Sequence, residues 1–194
     1  MAESIRNIIL SRRTIRRFQP IPVDRWIIRD VLEAGRLAPS AANLQPLEFV
    51  LVDNQQVVRR IFPCLRWASY IAPRGTPGPG QEPTAYVVML VNLGIRDEGF
   101  EYDVGAAMEN MILAAGGAGL GSCWLLSIDR EAIADILGVP PGYRIDCVLA
   151  LGYPAESPVA EEMMDSIKYW QDEEGVLHVP KRSFRSVCYF NRFG

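Results

Sequence analysis

The stretch TAYVVMLVN, Thr84–Asn92, constrains this chain more than any other, because Ala85–Val91 is an unbroken run of seven apolar residues. Successive side chains of a strand point to opposite faces, so a run without polar alternation must be covered on both. It therefore predicts a strand through the middle of a sheet. LEFVLVDN predicts a second buried strand, and SCWLLS and YRIDCVLALGYP two more. No strand is followed by a glycine loop that opens a crossover helix. The pattern predicts an α+β arrangement of layers, not a doubly wound sheet.

Helical spacing appears in AESIRNIILSRR, with Ile5, Ile8 and Ile9 on one face. VDRWIIRDVLEAGRLA predicts a helix capped at Asp24, with Trp26, Ile27, Val31, Ala34 and Leu37 at helical spacing, and stopped by Pro39. QVVRRIFP and LRWASYIA predict two short helices. FEYDVGAAMENMILAAGGAGLG predicts a long helix whose small residues allow close packing, and DREAIADILGVP a capped helix ending at Gly138. Pro73–Pro83 holds too much Pro and Gly for regular structure and predicts a loop or lid. From about Glu161 to Gly194 charge mixes with Trp170, Phe184, Tyr189, Phe190 and Phe193 without periodicity, which suits an arm lying on something else.

Several classes of function are excluded. Lys+Arg 20 against Asp+Glu 23 gives a net charge of −3, against a general nucleic-acid binder. No apolar run approaches membrane-spanning length, and the first residues lack a signal-peptide core. Four separated cysteines and one histidine assemble no zinc set; Cys123 and Cys147 lie in apolar runs, in keeping with a reducing, cytoplasmic setting. No P-loop is present. GGAGLG, Gly116–Gly121, follows a helix and precedes a strand, the reverse of a dinucleotide fingerprint. Its glycines serve either a helix C-cap or a close approach of backbone to a planar ligand. His178 lies in a polar tail segment and belongs to the surface or to an interface.

Two signals remain. SRRTIRRF places Arg12, Arg13, Thr14, Arg16 and Arg17 together without an acid. That suits a helix end, where basic residues complement the dipole, or an anion site of guanidinium forks and a hydroxyl. Lys181 and Arg182 form a second basic group downstream. APSAANLQPLEF presents Ser40, Asn43 and Gln45 after Pro39. That suits ordinary turn chemistry, or a wall of amides for a heterocycle edge bearing both N–H and C=O groups.

Together, and in this order, these stretches resemble the flavin-dependent nitroreductase family. Arg12, Thr14 and Arg16 match its Arg-x-Ser/Thr-x-Arg/Lys pattern. Pro39, Ser40, Asn43, Gln45 and Pro46 match Pro-Ser-x-x-Asn-x-Gln-Pro-Trp, with Leu47 in place of tryptophan. GLGSCW resembles the flavin-facing loop and VPKRS the basic C-terminal segment. The resemblance implies a nitroreductase-like three-layer α+β fold, with a mainly antiparallel sheet flanked by helices, in an intertwined homodimer. Residues 1–160 would form the FMN-binding domain. Residues 161–194 would form an arm that packs on the partner subunit and contributes to the FMN site. It implies FMN held by Arg12, Arg13, Thr14 and Arg16 of one subunit and Pro39, Ser40, Ala41, Asn43 and Gln45 of the other. Backbone at Leu120 and Gly121 would lie near the ring. Arg12 with Lys181 and Arg182 would take the phosphate, and Arg16 the pyrimidine end. The implied activity is ping-pong hydride transfer from NADH or NADPH through FMN to nitroaromatic, quinone or related small-molecule acceptors, with the chemistry at flavin N5 and no catalytic side chain. Alternatives on the same fold are dehalogenation, flavin breakdown, or flavin or nucleotide binding without catalysis.

Overall fold

The computed structural model describes residues 4–194; the Ala2–Glu3 end of the expected first helix lies outside them. The Thr84–Asn92 stretch does run through the middle of a sheet. Strands β1 (Leu47–Val52), β2 (Ala85–Asn92), β3 (Gly121–Leu125) and β4 (Tyr143–Gly152) form one sheet in the order β1-β2-β4-β3, every pair antiparallel. The apolar run is now explained residue by residue. Ala85, Val87, Met89 and Val91 face one buried cluster, and Tyr86, Val88 and Leu90 face the other.

Helices α2 (Arg25–Arg36) and α4 (Glu101–Gly117) cover the first face; α3 (Gln55–Ile61) and α5 (Arg130–Leu137) cover the second. This is the expected three-layer α+β arrangement. A Cβ on Gly35 of α2 would stand 2.8 Å from Met111 of α4, so the close approach of these helices depends on α2 as well as on the small residues of α4. In β4 one extra residue, Asp146, bulges opposite Met89 and Leu90, and the Arg130 side chain donates to the carbonyls of Ile145 and Asp146. Helix α5 ends at Gly138 in the left-handed conformation, as its sequence predicts.

Three expectations change. Trp26 and Leu37 are 65% exposed. The buried stripe of α2 is Ile27, Ile28, Val31 and Gly35, which turns Trp26 outward, and the helix ends before Leu37. Helix α1 (Ile5–Ser11) buries no residue: Ile8 rests beside Gly116 and Gly117, while Ile5 and Ile9 are exposed. LRWASYIA forms only a 3-10 turn at Ser69–Ile71. The Pro73–Pro83 loop is irregular as expected, but it is tied down where the Phe18 N–H donates to the Gln81 carbonyl.

The chain beyond β4 is more ordered than its sequence suggests. Strands β5 (Val159–Glu162), β6 (Trp170–Gln171) and β7 (Leu177–Lys181) make a small sheet in the order β5-β7-β6, with β5 and β7 parallel. His178 joins its parts. Its Nδ1 meets Glu161 at 2.9 Å, its Nε2 meets Asp172 at 3.1 Å, and its ring stacks on Trp170 at 4.2 Å. Beyond this sheet Phe184, Phe190 and Phe193 are exposed.

Candidate functional site

The basic stretch follows α1 as an extended segment pinned along its length. The Ile15 N–H donates to the Ser122 carbonyl and that of Gln19 to Tyr153. The Arg16 and Arg17 N–H groups both donate to Glu156 Oε1, at 2.5 and 3.2 Å. The segment thereby borders a cleft of about 310 Å³ whose walls include Arg12, Arg13, Ile15, Leu120, Gly121 and Ser122. Arg12 Nε lies 3.7 Å from Glu109. Arg13 donates through one terminal nitrogen to the carbonyls of Leu10 and Arg12, while its Nε–H is buried without a partner. Burial first, and then the adjacent Arg12 charge, hold the Arg13 guanidinium below its ordinary value. Two like charges and an unspent donor at one cleft suit an anion.

The far wall is the end of α4. The Leu120 N–H bonds the Ala115 carbonyl and the Gly119 N–H that of Gly116, with Gly119 at φ +76°. This is a Schellman cap, which needs glycine at that one position. The glycine cluster thus terminates the helix and also borders the cleft. The Leu120 amide is spent on the cap. Gly121 is tight for another reason: a Cβ there would lie 2.7 Å from Ile15.

The amide wall lies elsewhere. Pro39, Ser40 and Gln45 border a second cleft of about 160 Å³ with Leu47, Phe49 and Asp103. Ala42, Asn43 and Gln45 all have positive φ, between 51° and 55°. Left-handed backbone costs an L-residue about 1–2 kcal/mol, so something must hold this turn. The holder is Asp103, 3% exposed, whose Oδ1 accepts the Ala41 N–H at 2.9 Å and whose Oδ2 meets Arg96 at 3.3 Å. Ser40 Oγ accepts the Gln45 N–H at 3.1 Å, and Gln45 Nε2 donates to the Asn43 carbonyl. The Asn43 side chain is exposed and makes no hydrogen bond among the described residues.

The expected site residues are therefore not brought together in one chain. Arg12, Arg13, Leu120 and Gly121 meet at the C-terminal end of α4, while Pro39, Ser40, Ala41, Asn43 and Gln45 cluster near its N-terminal end. Asp103 and Gly116 mark the two clefts, and thirteen residues of helix separate them by about 20 Å. Thr14 does not border the first cleft. Arg16 lies across Glu156 from it, with its guanidinium 5.1 Å from the Tyr169 ring centre. Lys181 and Arg182 border a third, separate groove. Sequence reasoning missed Asp103, Glu156 and Tyr169. Asp103 reads as an ordinary acid in a first helical turn, and Glu156 is 140 residues from the amide it accepts.

An antiparallel sheet clasped by helical layers, with a basic cleft at one end of its longest helix and an amide-lined one at the other, defines a class: a three-layer α+β protein with two separate clefts. The family follows from comparison, since residues 9–76 and 81–153 match the model of the nitroreductase family. The chain belongs to that family. A Thermus thermophilus protein named NADH dehydrogenase is 30% identical over 178 residues, covering 76% of this chain and 85% of the relative. A Rhodospirillum rubrum 5,6-dimethylbenzimidazole synthase is 27% identical over 174 residues, covering 77% and 82%. The solved structure of an FMN-dependent nitroreductase from Clostridium difficile superposes with a TM-score of 0.69 at 24% identity, covering 96% of this chain and 99% of that one. No helix among the described residues is long and apolar enough to cross a membrane.

Proposed function

We propose that this chain is an FMN-dependent NAD(P)H oxidoreductase that reduces nitroaromatic, quinone or related acceptors, and that it works as a homodimer. The observation that carries the assignment is the pair Arg12–Arg13 at the wall of a cleft, with the Arg13 Nε–H buried and unpartnered. The donor set fits a phosphate monoester, and the exposed amides of Asn43 and Gln45 fit the mixed donor and acceptor edge of a flavin. When bound, FMN accepts hydride from NAD(P)H and passes it to the acceptor. For a nitro group the balance is ArNO2 + NAD(P)H + H+ → ArNO + NAD(P)+ + H2O.

The chain's own residues bind and orient. Arg12 and Arg13 anchor the phosphate, and the cleft wall from Leu120 to Ser122 confines the isoalloxazine. Arg16 and Thr14 address the ring from the same segment. Pro39, Ser40, Ala41, Asn43 and Gln45 serve a second copy's cleft. The separation of about 20 Å along α4 supports this, because a chain whose two binding surfaces lie that far apart completes its sites by pairing. Exposed Ile5, Ile9, Trp26, Leu37, Phe190 and Phe193 supply apolar surface for such a pair. Residues 1–160 act as the FMN domain and 161–194 as the arm. Lys181 and Arg182 join the phosphate only once a second copy repositions the arm's end.

The test is direct. The purified protein should hold FMN, as seen by visible absorbance, and NAD(P)H should bleach it until a nitroaromatic or quinone restores it. A protein that takes up no FMN ends the assignment, and bound FMN that NAD(P)H does not reduce makes it a binding protein. Light scattering of the FMN-bound form should give a dimer; an FMN-bound monomer contradicts the shared site.

A further inference from the structure

Next to the basic cleft, across Glu156, lies a patch of which the cofactor assignment uses only Arg16. Arg16 sits over the Tyr169 ring at 5.1 Å. Tyr169 packs on Tyr70, with ring centres 4.9 Å apart and planes tilted by 48°. Lys168 Nζ lies over Tyr70 at 5.9 Å. Arg17 and Arg74 border the same pocket as Arg16. None of the four cations Arg16, Arg17, Arg74 and Lys168 has a side-chain carboxylate partner within 4.0 Å among the described residues. The one acid in the pocket, Glu156, is already accepting the backbone N–H groups of Arg16 and Arg17.

Four unpaired cations converging in a chain of net charge −3 are not a solvated helix face: they come from three separate segments. Tyr70 is 51% exposed even with Tyr169 and Lys168 against it, so the aromatic pair lies open to solvent at this edge. Tyrosine faces favour flat, electron-poor rings, and the cations around them favour a negative substituent. We propose that the patch of Tyr70, Tyr169, Lys168 and Arg16 selects the acceptor, and that the acceptor is a planar aromatic molecule carrying an acidic group such as a carboxylate. This rests on the flavin assignment for the chemistry, because Arg16 joins the patch to the cofactor segment, but the binding preference belongs to the patch alone.

Calorimetric titration of the FMN-loaded protein with 4-nitrobenzoate and with neutral 4-nitrobenzyl alcohol tests it. At low ionic strength the anion should bind about two- to fivefold tighter, the range open to charge pairs at a surface. Lys168→Gln should bring the ratio toward one, as should added salt. Tyr169→Leu should weaken both ligands. Arg59→Gln, which removes a positive charge from α3, should leave the ratio as it was. Equal binding of the two ligands overturns the proposal. So does a preference that survives Lys168→Gln, or one lost equally in Arg59→Gln. Visible absorbance reads the cofactor separately. A protein without FMN that keeps the anion preference sinks the flavin assignment and upholds the patch; a yellow protein without the preference does the reverse.

Discussion

The carboxylate of Asp103, on α4, accepts the backbone N–H of Ala41, 62 residues away, at 2.9 Å. It thereby holds a turn in which Ala42, Asn43 and Gln45 are left-handed. Asp103→Ala removes the restraint and leaves Arg96 without its partner, so the amide wall should relax. FMN affinity should fall as the turn loosens, the lost hydrogen bond from the Ala41 N–H to the Asp103 carboxylate being worth about 1.5–3 kcal/mol of turn stability. Asp103→Asn keeps an oxygen for Ala41 and should recover part of the loss. Fluorescence titration of FMN, together with the visible circular dichroism of the bound flavin, checks this. An unchanged flavin band alongside a lowered melting temperature would mean that Asp103 stabilises the fold without positioning the wall.

Arg12 and Arg13 differ in what they already hold. Arg12 has Glu109 at 3.7 Å, whereas the Arg13 Nε–H has no partner. Removing either guanidinium should cost FMN affinity about 1.5–3 kcal/mol for each charge-assisted hydrogen bond lost. Glu109→Gln, by freeing Arg12, should tighten FMN slightly. FMN dissociation constants for the three variants decide the matter. If both arginine variants bind FMN like the parent chain, the phosphate lies elsewhere.

Legibility followed range along the chain. The Ala85–Val91 run announces a central strand because burial on both faces erases polar alternation locally. The Gly138 cap and the α2 stripe are local in the same way. The outward turn of Trp26 was not legible, because helical spacing alone does not say which of two adjacent apolar positions turns inward. The tail sheet was invisible: its strands are short, its β5–β7 pairing is parallel, and its organising contacts join Glu161, Trp170, Asp172 and His178. The basic and the amide-rich stretches stand out by residue type, and both border clefts. Their separation along α4 could not be read from residue types, nor could the supports from Asp103 and Glu156, because those contacts are long-range.

The tail sheet should respond to pH through His178. Both ring nitrogens face carboxylates, and only the imidazolium donates from both. Asp172 first, and then Glu161, raise His178 above its ordinary value of 6.5. His178 in turn holds Asp172 below its usual carboxylate range; Glu161 is lowered first by Trp170 and then by His178. A raised folded value contributes stability below 6.5 and loses it as pH climbs through the folded value; lowered carboxylates lose theirs as pH falls through their own folded values. Hydrogen-exchange protection of β5–β7, corrected for the intrinsic pH dependence of exchange, should therefore be greatest between those limits and fall as pH climbs through the raised His178 value. His178→Gln should flatten the alkaline limb. A limb unchanged by that substitution would place the titration elsewhere.

Two glycines at the end of α4 allow backbone strain and steric clash to be told apart. Gly119 adopts φ +76°, and a Cβ added there would meet nothing within 4 Å, so Gly119→Ala meets only backbone strain, about 1 kcal/mol. Gly119→Asn, better tolerated in this conformation, should lose less. Gly121 has ordinary strand geometry, but its Cβ would lie 2.7–2.9 Å from three carbons of Ile15, so the Ser11–Gln19 segment or β3 itself must move. Overpacking of this kind costs about 1–3 kcal/mol. At about 2–4 °C per kcal/mol for a chain of this size, Gly121→Ala should lower the melting temperature more than Gly119→Ala does. The clash also pushes on the segment that carries Arg12 and Arg13, so Gly121→Ala should weaken FMN binding more than Gly119→Ala, whose Cβ meets nothing within 4 Å. Thermal melts and FMN titration on the same three variants test both halves. Equal FMN affinity in all three would show that the segment gives way without disturbing its arginines.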